Sequence, residues 1–151
     1  MIKSAQHAGA NVYFVGTGGD DGENGLTWAT RFATMSFAES VVVAGDLVIV
    51  GNYAVSASVN HTTANVTWIG CGADSIITGV VSVAAGSKLL KFTVIGSVLG
   101  KGTSMDIEGN FITTSSTLDG ITLETNDCSD TIISDYLVVL NNTILNRVCT
   151  S

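Results

Sequence analysis

The chain has 151 residues, no proline and a formal charge of −7, because thirteen aspartates and glutamates outnumber six lysines and arginines. Val, Ile and Thr supply 48 of the residues, and such β-branched side chains favour strands. The few cations are not clustered, which argues against nucleic acid and against an anionic membrane surface as partners. We expect a single all-β domain.

The first segment, residues 1–11, is small and polar and has no hydrophobic period, which predicts an N-terminal arm. It contains no apolar stretch of the kind found in signal peptides, so we expect synthesis in the cytoplasm without secretion. Residues 12–15 (VYFV) predict a short strand. The Gly- and Asp-rich residues 16–25 predict a loop, since these residue types tolerate the backbone angles of tight turns.

After residue 28, apolar side chains recur at i, i+4 spacing, which predicts an amphipathic helix over residues 33–43. Thr30 or Thr34 is the expected N-cap, because a hydroxyl oxygen can accept a hydrogen bond from a free amide of the first turn. Gly45 is the expected C′ residue. The sequence predicts this one helix and no other.

From residue 46 onward, short apolar segments alternate with turn residues. The connections are too short for βαβ crossovers, which need about a dozen residues. The predicted strands cover residues 47–50, 53–59, 66–70, 75–78, 80–84, 89–95, 105–107, 110–113, 118–124, 131–134, 136–140 and 143–148. Two architectures remain open: an antiparallel sandwich or barrel, and a parallel β-helix in which three short strands make one coil.

An internal similarity favours the β-helix. Residues 66–70 (VTWIG) and 92–96 (FTVIG) share Thr, Ile and Gly at the same offsets, with a displacement of 26 residues. A repeat of 20–30 residues is typical of solenoids. This period gives about four coils between residues 46 and 151.

The order of features up to residue 53 is a strand, a Gly/Asp loop, a Trp-Ala pair, a short amphipathic helix and a Gly-Asp pair. The positions that carry this order are Tyr13, Phe14, Val15, Gly18, Gly19, Asp20, Asp21, Gly25, Trp28, Ala29, Phe32, Thr34, Ala38, Val41, Gly45, Asp46, Val48, Val50, Gly51 and Tyr53. The order resembles the N-terminal cap of right-handed parallel β-helix proteins of the pectate-lyase-like group. The resemblance implies a short right-handed parallel β-helix of about four coils with one N-terminal capping helix.

On this interpretation residues 12–151 form a single domain, with a cap over 12–45 and coils over 46–151. The terminal coil of a solenoid exposes an apolar end, which the predicted helix is expected to cover. Trp28 and Phe32 are expected to pack as core residues beneath the start of that helix; the alternative for these aromatics is a platform on which a sugar stacks.

The candidate metal ligands are four acidic residues. Asp106 and Glu108 stand at i, i+2, so both carboxylates should point to one side of a strand. Asp20 and Asp21 offer oxygens of the kind that calcium prefers, although the spacing does not match a calcium-binding loop. For each pair a solvated surface is the alternative to a calcium site, and we predict no other cofactor.

We expect no catalytic and no cofactor-binding residues. His7 lies in the arm and His61 in a polar loop, and neither stands beside a nucleophile with an orienting acid. Trp68 is expected in the core of the solenoid. The three cysteines, Cys71, Cys128 and Cys149, contain no C-x-x-C pair, so we expect buried free thiols and no zinc site.

The resemblance also carries expectations about function. Caps of this kind occur in polysaccharide lyases and hydrolases, in phage tailspikes and in non-enzymatic virion proteins. Since the enzymes of the group continue for many more coils, the short chain implies a non-enzymatic phage capsid decoration, or cement, protein on the virion surface. Its expected partners are its own copies in a homotrimer, which would cover the apolar C-terminal end, and the major capsid protein. The alternative is a carbohydrate-binding or tailspike- or lyase-like module that acts on a glycan.

Overall fold

The computed structural model describes residues 10–101, 105–113, 121–124, 138–140 and 143–144, with side chains for 10–101 and 105–113. Every pairing between the described strands is parallel, and together the strands form one sheet that coils into a solenoid of about three turns. The elements are β1 (Val12–Val15), α1 (Met35–Val41), β2 (Leu47–Val50), β3 (Tyr53–Val55), β4 (Val59–Asn60), β5 (Thr67–Val83), β6 (Lys88–Lys101), β7 (Asp106–Glu108), β8 (Phe111–Thr113), β9 (Ile121–Glu124), β10 (Val138–Leu140) and β11 (Thr143–Ile144). The all-β class and the parallel β-helix are confirmed, and the antiparallel alternative is wrong.

The solenoid has three faces, because β5 and β6 each bend at two corners. Face A stacks β1, β2, residues 67–70 of β5, residues 88–90 of β6, β7 and β10. Face B stacks β3, residues 75–78 of β5, residues 93–95 of β6, β8 and β11. Face C stacks β4, residues 80–83 of β5, residues 97–101 of β6 and β9.

The interior is filled by stacks of apolar side chains, since alternate residues of a strand point to opposite sides of the sheet. We call the strand segments of one turn a rung. On each face, one central side chain of every rung points inward and is buried. The stacks are Val48, Trp68, Leu89 and Ile107 on face A, Ile77, Val94 and Ile112 on face B, and Val59, Val81 and Val98 on face C.

Faces B and C meet at a pair of stacked glycines. Gly79 and Gly96 are register partners on adjacent rungs, and their φ angles of +144° and +149° are ones that residues with a Cβ rarely adopt. A Cβ added at Gly96 would also run into the carbonyl group of Gly79. The corner therefore requires glycine at this rung.

The N-terminal edge of the sheet is closed by the loop that follows β1. Phe14 donates its amide to the carbonyl of Gly25 at 2.8 Å, and its carbonyl accepts from the amide of Phe32 at 2.9 Å. The amide of Gly16 donates to the carbonyl of Phe32 at 3.0 Å. The loop therefore occupies the backbone groups of the edge strand at Phe14 and Gly16, which hinders the pairing of another strand there.

The helix is shorter than the predicted range of 33–43. Thr34 is confirmed as the N-cap, because its hydroxyl accepts from the amide of Phe37 at 3.1 Å. The expectation for Gly45 is wrong: the helix ends at Val41, its C-cap Val42 has an extended backbone, and Gly45 belongs to the turn that follows. The physical reason is Asp46, whose carboxylate accepts from the amide of Val43 at 2.8 Å and so turns the chain directly after the helix.

The predicted strands agree with the structure in position more than in length. Residues 12–15 and 47–50 form strands with the predicted bounds, whereas the predicted strand 53–59 is divided into β3 and β4. The predicted strand 131–134 lies outside the described residues. About three turns are described where we predicted about four. Beyond β6, each face continues with one more strand: β7 on face A, β8 on face B and β9 on face C.

The similarity of residues 66–70 to residues 92–96 predicts that the two segments stack on each other, and this prediction is wrong. Trp68 stacks on Leu89, and Gly79 stacks on Gly96, so the two segments lie on different parts of the coil. Along face A the stack from Val48 advances by 20, 21 and 18 residues, not by 26. In the part of the chain that the structure describes, no helix is long and apolar enough to cross a membrane.

Candidate functional site

The outward side of face A is apolar over its first rungs. One row of outward side chains runs in register through Phe14, Ile49, Ile69 and Leu90, and it is followed on the next rung by Glu108. These four apolar residues, which we call the outer row, are only half-buried although they alternate with fully buried core residues. Val12 and Leu47 extend the apolar surface beside them.

Trp28 lies at the N-terminal end of the outer row and is 44% exposed. Its ring meets the ring of Phe14 edge-on, with centroids 6.4 Å apart. The guanidinium of Arg31 lies 4.7 Å from the Trp28 ring centroid, a cation–π distance. A Cβ at Gly16 or Gly51 would come within 3 Å of the indole, so these glycines allow the ring to lie close against the backbone.

The prediction that Trp28 is a core residue is wrong, whereas the same prediction for Phe32 is confirmed. Phe32 is fully buried and fills the space beneath the helix, stacked on Tyr13 at 5.7 Å and edge-on to Phe37 at 5.0 Å. With that space filled by one aromatic ring, the other is placed on the surface next to the outer row.

Charged side chains begin where the outer row ends. Asp106 and Glu108 lie on the same outward side of β7, with the buried Ile107 between them, as the sequence predicts. The carboxylate of Asp106 pairs with the ammonium of Lys88 on the preceding rung at 2.9 Å. Lys88 is 49% exposed, so this is a solvated surface ion pair of small energetic value.

The two loop carboxylates organise the backbone of the cap. Asp20 accepts from the amide of Gly22 at 2.8 Å within a tight turn. Asp21 accepts from the amides of Ala33 and Thr34 at 2.8 and 3.0 Å, and from the Thr34 hydroxyl at 2.8 Å. Among the residues whose side chains are described, no three His, Cys, Asp or Glu residues come together as a metal site.

His61 is fully buried, so its assignment to a surface loop is wrong. Its ring stacks on Trp68, with centroids 3.9 Å apart and an interplanar angle of 28°. The prediction that Trp68 is a core residue is confirmed. The Nδ1 atom of His61 lies 3.3 Å from Oε2 of Glu39, which reaches it from α1. The imidazole can be buried because the carboxylate of Glu39 accepts a hydrogen bond from it and so offsets the cost of removing a polar ring from water.

Glu39, which contacts His61, is a residue that the sequence analysis did not single out. Its Oε1 accepts from the amides of Thr62 and Thr63 at 2.8 and 2.7 Å, and from the Thr62 hydroxyl at 3.1 Å. Burial alone would raise the pKa of Glu39, but the hydrogen bonds from His61 and the two amides outweigh it and lower the pKa to about 2. The carboxylate is therefore ionised at neutral pH.

Two ring nitrogens of the cluster are buried without a hydrogen-bond partner among the described residues, Nε2 of His61 and Nε1 of Trp68. Burial lowers the pKa of His61, although the hydrogen bond and the charge of Glu39 act in the opposite direction. The imidazole is therefore neutral at pH 7. We call Glu39, His61 and Trp68 the inner cluster.

Cys71 corrects a further expectation, because its thiol is exposed and not buried. It lies at the corner between faces A and B, next to the inward-facing, buried Gly70. Cys128, Cys149 and His7 lie outside the described residues, so the expectations for them stay predictions.

The comparisons with known proteins give no relative. No protein-family model matches the chain, no curated protein matches it, and no solved structure matches it. The fold is thus known from the chain's own strand register, and the function has to be argued from its surface and its interior.

Proposed function

We propose that this chain is a non-enzymatic structural protein that associates with other proteins through the outward side of face A. The observation that carries the proposal is the outer row of Phe14, Ile49, Ile69 and Leu90, with Trp28 exposed at its end. Contiguous apolar surface bordered by charged residues is typical of interaction sites. Tryptophan and arginine, here Trp28 and Arg31, are the residue types most enriched at the centres of interfaces.

Three carboxylates are engaged in hydrogen bonds that hold the fold together, which supports a structural role for the protein. Asp21 fixes the start of α1, Asp46 accepts from the amides of Asn11 and Val43, and Glu39 ties α1 to the first turn. Each of these carboxylates accepts two or more hydrogen bonds from the protein itself. Such groups stabilise a fixed conformation and have little capacity left for acid–base chemistry.

We further propose that the assembly is a virion and that the chain is a phage capsid decoration, or cement, protein at its surface. The support is the resemblance of the cap to virion β-helices. In this proposal the protein forms a homotrimer, the arm of residues 1–11 anchors it to the major capsid protein, and association involves no chemical step.

The proposal is tested by comparing two substitutions on β5. Ile69→Lys places a charge in the outer row on face A, and Thr78→Lys places the same charge at an exposed position on face B. We expect sedimentation velocity to show that Ile69→Lys dissociates the oligomer and that Thr78→Lys does not, with unchanged circular dichroism for both. Dissociation by both variants, or by neither, would contradict face A as the association surface.

A second function, glycan binding, is favoured by the exposure of Trp28, since a flat aromatic ring open to solvent can stack on a sugar. This candidate predicts that a glycan array identifies a ligand whose binding is lost in Trp28→Ala. Asp106→Ala/Glu108→Ala and calcium removal test whether the acidic end of face A contributes. A loss of binding in Trp28→Ala without dissociation of the oligomer would favour the glycan over a protein partner.

A further inference from the structure

One carboxylate connects the cap helix to the segment that follows β4, beside the buried side chains of Met35 and Ala38 that pack the helix on the core. Glu39 extends from α1, and its two oxygens reach different groups of the segment that follows β4. Oε2 lies 3.3 Å from Nδ1 of His61, and Oε1 accepts from the amides of Thr62 and Thr63. Breaking this contact would release the polar connection between α1 and that segment.

The contact assigns the tautomer of the neutral imidazole. Because the Glu39 carboxylate can only accept, Nδ1 of His61 carries the proton and donates it. The lone pair is then at Nε2, which is buried and has no partner among the described residues. A second proton would create a buried donor at Nε2 that has no acceptor among the described residues, because Trp68 presents its ring face and an N–H group but no lone pair.

We propose that the contact between Glu39 and His61 is an acid-released latch, which fixes the segment of residues 61–63 against α1 at neutral pH and opens when His61 takes up a second proton. This inference does not depend on the proposed function. The charged group that faces His61 from α1 is Glu39. From β5 the ring meets Trp68, and the carbonyl of Ser82 accepts from the His61 amide at 3.0 Å; neither Trp68 nor Ser82 titrates in the acid range.

The direction of the two pKa shifts agrees with this geometry. The pKa of His61 is lowered from 6.5 by burial, so the docked ring resists the proton that the released ring accepts. The pKa of Glu39 is about 2, so the carboxylate stays ionised while the imidazole titrates. Acidification from pH 6.5 therefore acts on His61, and it favours the released state.

The test uses the full chain with Trp28→Phe, which leaves Trp68 as the sole indole. We expect acidification from pH 8 to pH 4 to shift Trp68 emission to longer wavelength and to increase its quenching by acrylamide, reversibly and with unchanged far-ultraviolet circular dichroism. By nuclear magnetic resonance, protection of the Thr62 and Thr63 amides against hydrogen exchange should fall about tenfold per pH unit below the pKa of the released ring.

Three variants complete the test. His61→Asn retains an amide nitrogen near the Nδ1 position but does not titrate, so it should abolish the step. His7→Asn, the matched control in the arm, should retain it. Glu39→Gln weakens the docked state and removes the charge that offsets an imidazolium, so it should move the midpoint to higher pH.

Several outcomes would overturn the latch. One is a step that persists in His61→Asn or disappears in His7→Asn. Another is protection of the Thr62 and Thr63 amides that rises on acidification, because the pair would then tighten as an ordinary ion pair. Loss of circular dichroism with the same midpoint would show global unfolding in place of local release. If His61→Asn does not fold, the Glu39→Gln shift and the His7→Asn control decide the matter.

Discussion

The inner cluster is polar although it is buried, and the outer row is apolar although it lies on the surface. Inside the first turn, Glu39 and His61 bring an ionised carboxylate and an imidazole against Trp68. On the outside of face A, an aromatic and three aliphatic side chains remain partly open to water. The comparison teaches that hydrogen bonding, and not polarity alone, decides what a narrow solenoid can enclose. It also shows that the sheet leaves an apolar surface partly open to water.

The largest effect is expected from removing each tryptophan in turn. Trp68→Ala should lower the free energy of unfolding by about 3–5 kcal/mol, because it leaves a cavity in the stack of face A. Trp28→Ala should lower it by about 1 kcal/mol or less in the dissociated chain, because the ring is 44% exposed. Chemical denaturation of both variants measures the difference, and equal losses would contradict the assignment of inside and outside.

A smaller loss is expected from Glu39→Ala. It leaves Nδ1 of His61 and the amides of Thr62 and Thr63 without their acceptor, which should cost about 2–3 kcal/mol. Glu23→Ala is the matched control, since Glu23 is exposed and should change stability little. A loss as small for Glu39 as for Glu23 would show that the inner cluster is not needed for the cap.

The pH dependence of global stability should follow the same carboxylate. The folded pKa of Glu39 is lowered from 4.5 to about 2, so its stabilising contribution is present above pH 4.5 and is lost as the pH falls from 4.5 towards 2. Because the latch of the wild type is proposed to open above this window, the comparison is made in His61→Asn, in which residue 61 does not titrate. We expect the melting temperature of His61→Asn to fall more steeply from pH 4.5 towards pH 2 than that of the double variant His61→Asn/Glu39→Gln. Parallel curves for the two proteins would contradict the hydrogen bonds to the ionised form.

The smallest effect is expected at the end of face A. Lys88 and Asp106 form a solvated pair on adjacent rungs, so Lys88→Ala should change the free energy of unfolding by about 1 kcal/mol or less. Added salt should reduce the difference further. A double-mutant cycle with Asp106→Ala measures the coupling, and a coupling above about 2 kcal/mol would mean that the pair is more buried than its exposure indicates.

Local features of the chain were predictable because they depend on neighbouring residues. The strands at 12–15 and 47–50 follow from short apolar runs between turn residues, and Thr34 caps the helix through its own hydroxyl. The shared side of Asp106 and Glu108 follows from the two-residue period of a strand. In each case the feature is determined by residues a few positions apart in the sequence.

Features that depend on distant partners were not predictable in the same way. The register of the coils is fixed by contacts about twenty residues apart, so the similarity of residues 66–70 to 92–96 gave a wrong stacking. The burial of His61 depends on Glu39, which precedes it by 22 residues. One signal was present: Val59 and His61 stand two residues apart, so an inward Val59 places His61 on the same side.

The central claim is that the outward side of face A is an association surface of a structural protein. The most direct test is the mass of the purified full chain and of its Ile69→Lys variant by light scattering over a dilution series, with calcium and with a chelator. The account predicts a stable trimer of the wild type that is indifferent to calcium, and a monomer for Ile69→Lys. A monomeric wild type, an oligomer that forms only with calcium, or a trimer that persists in Ile69→Lys would contradict it.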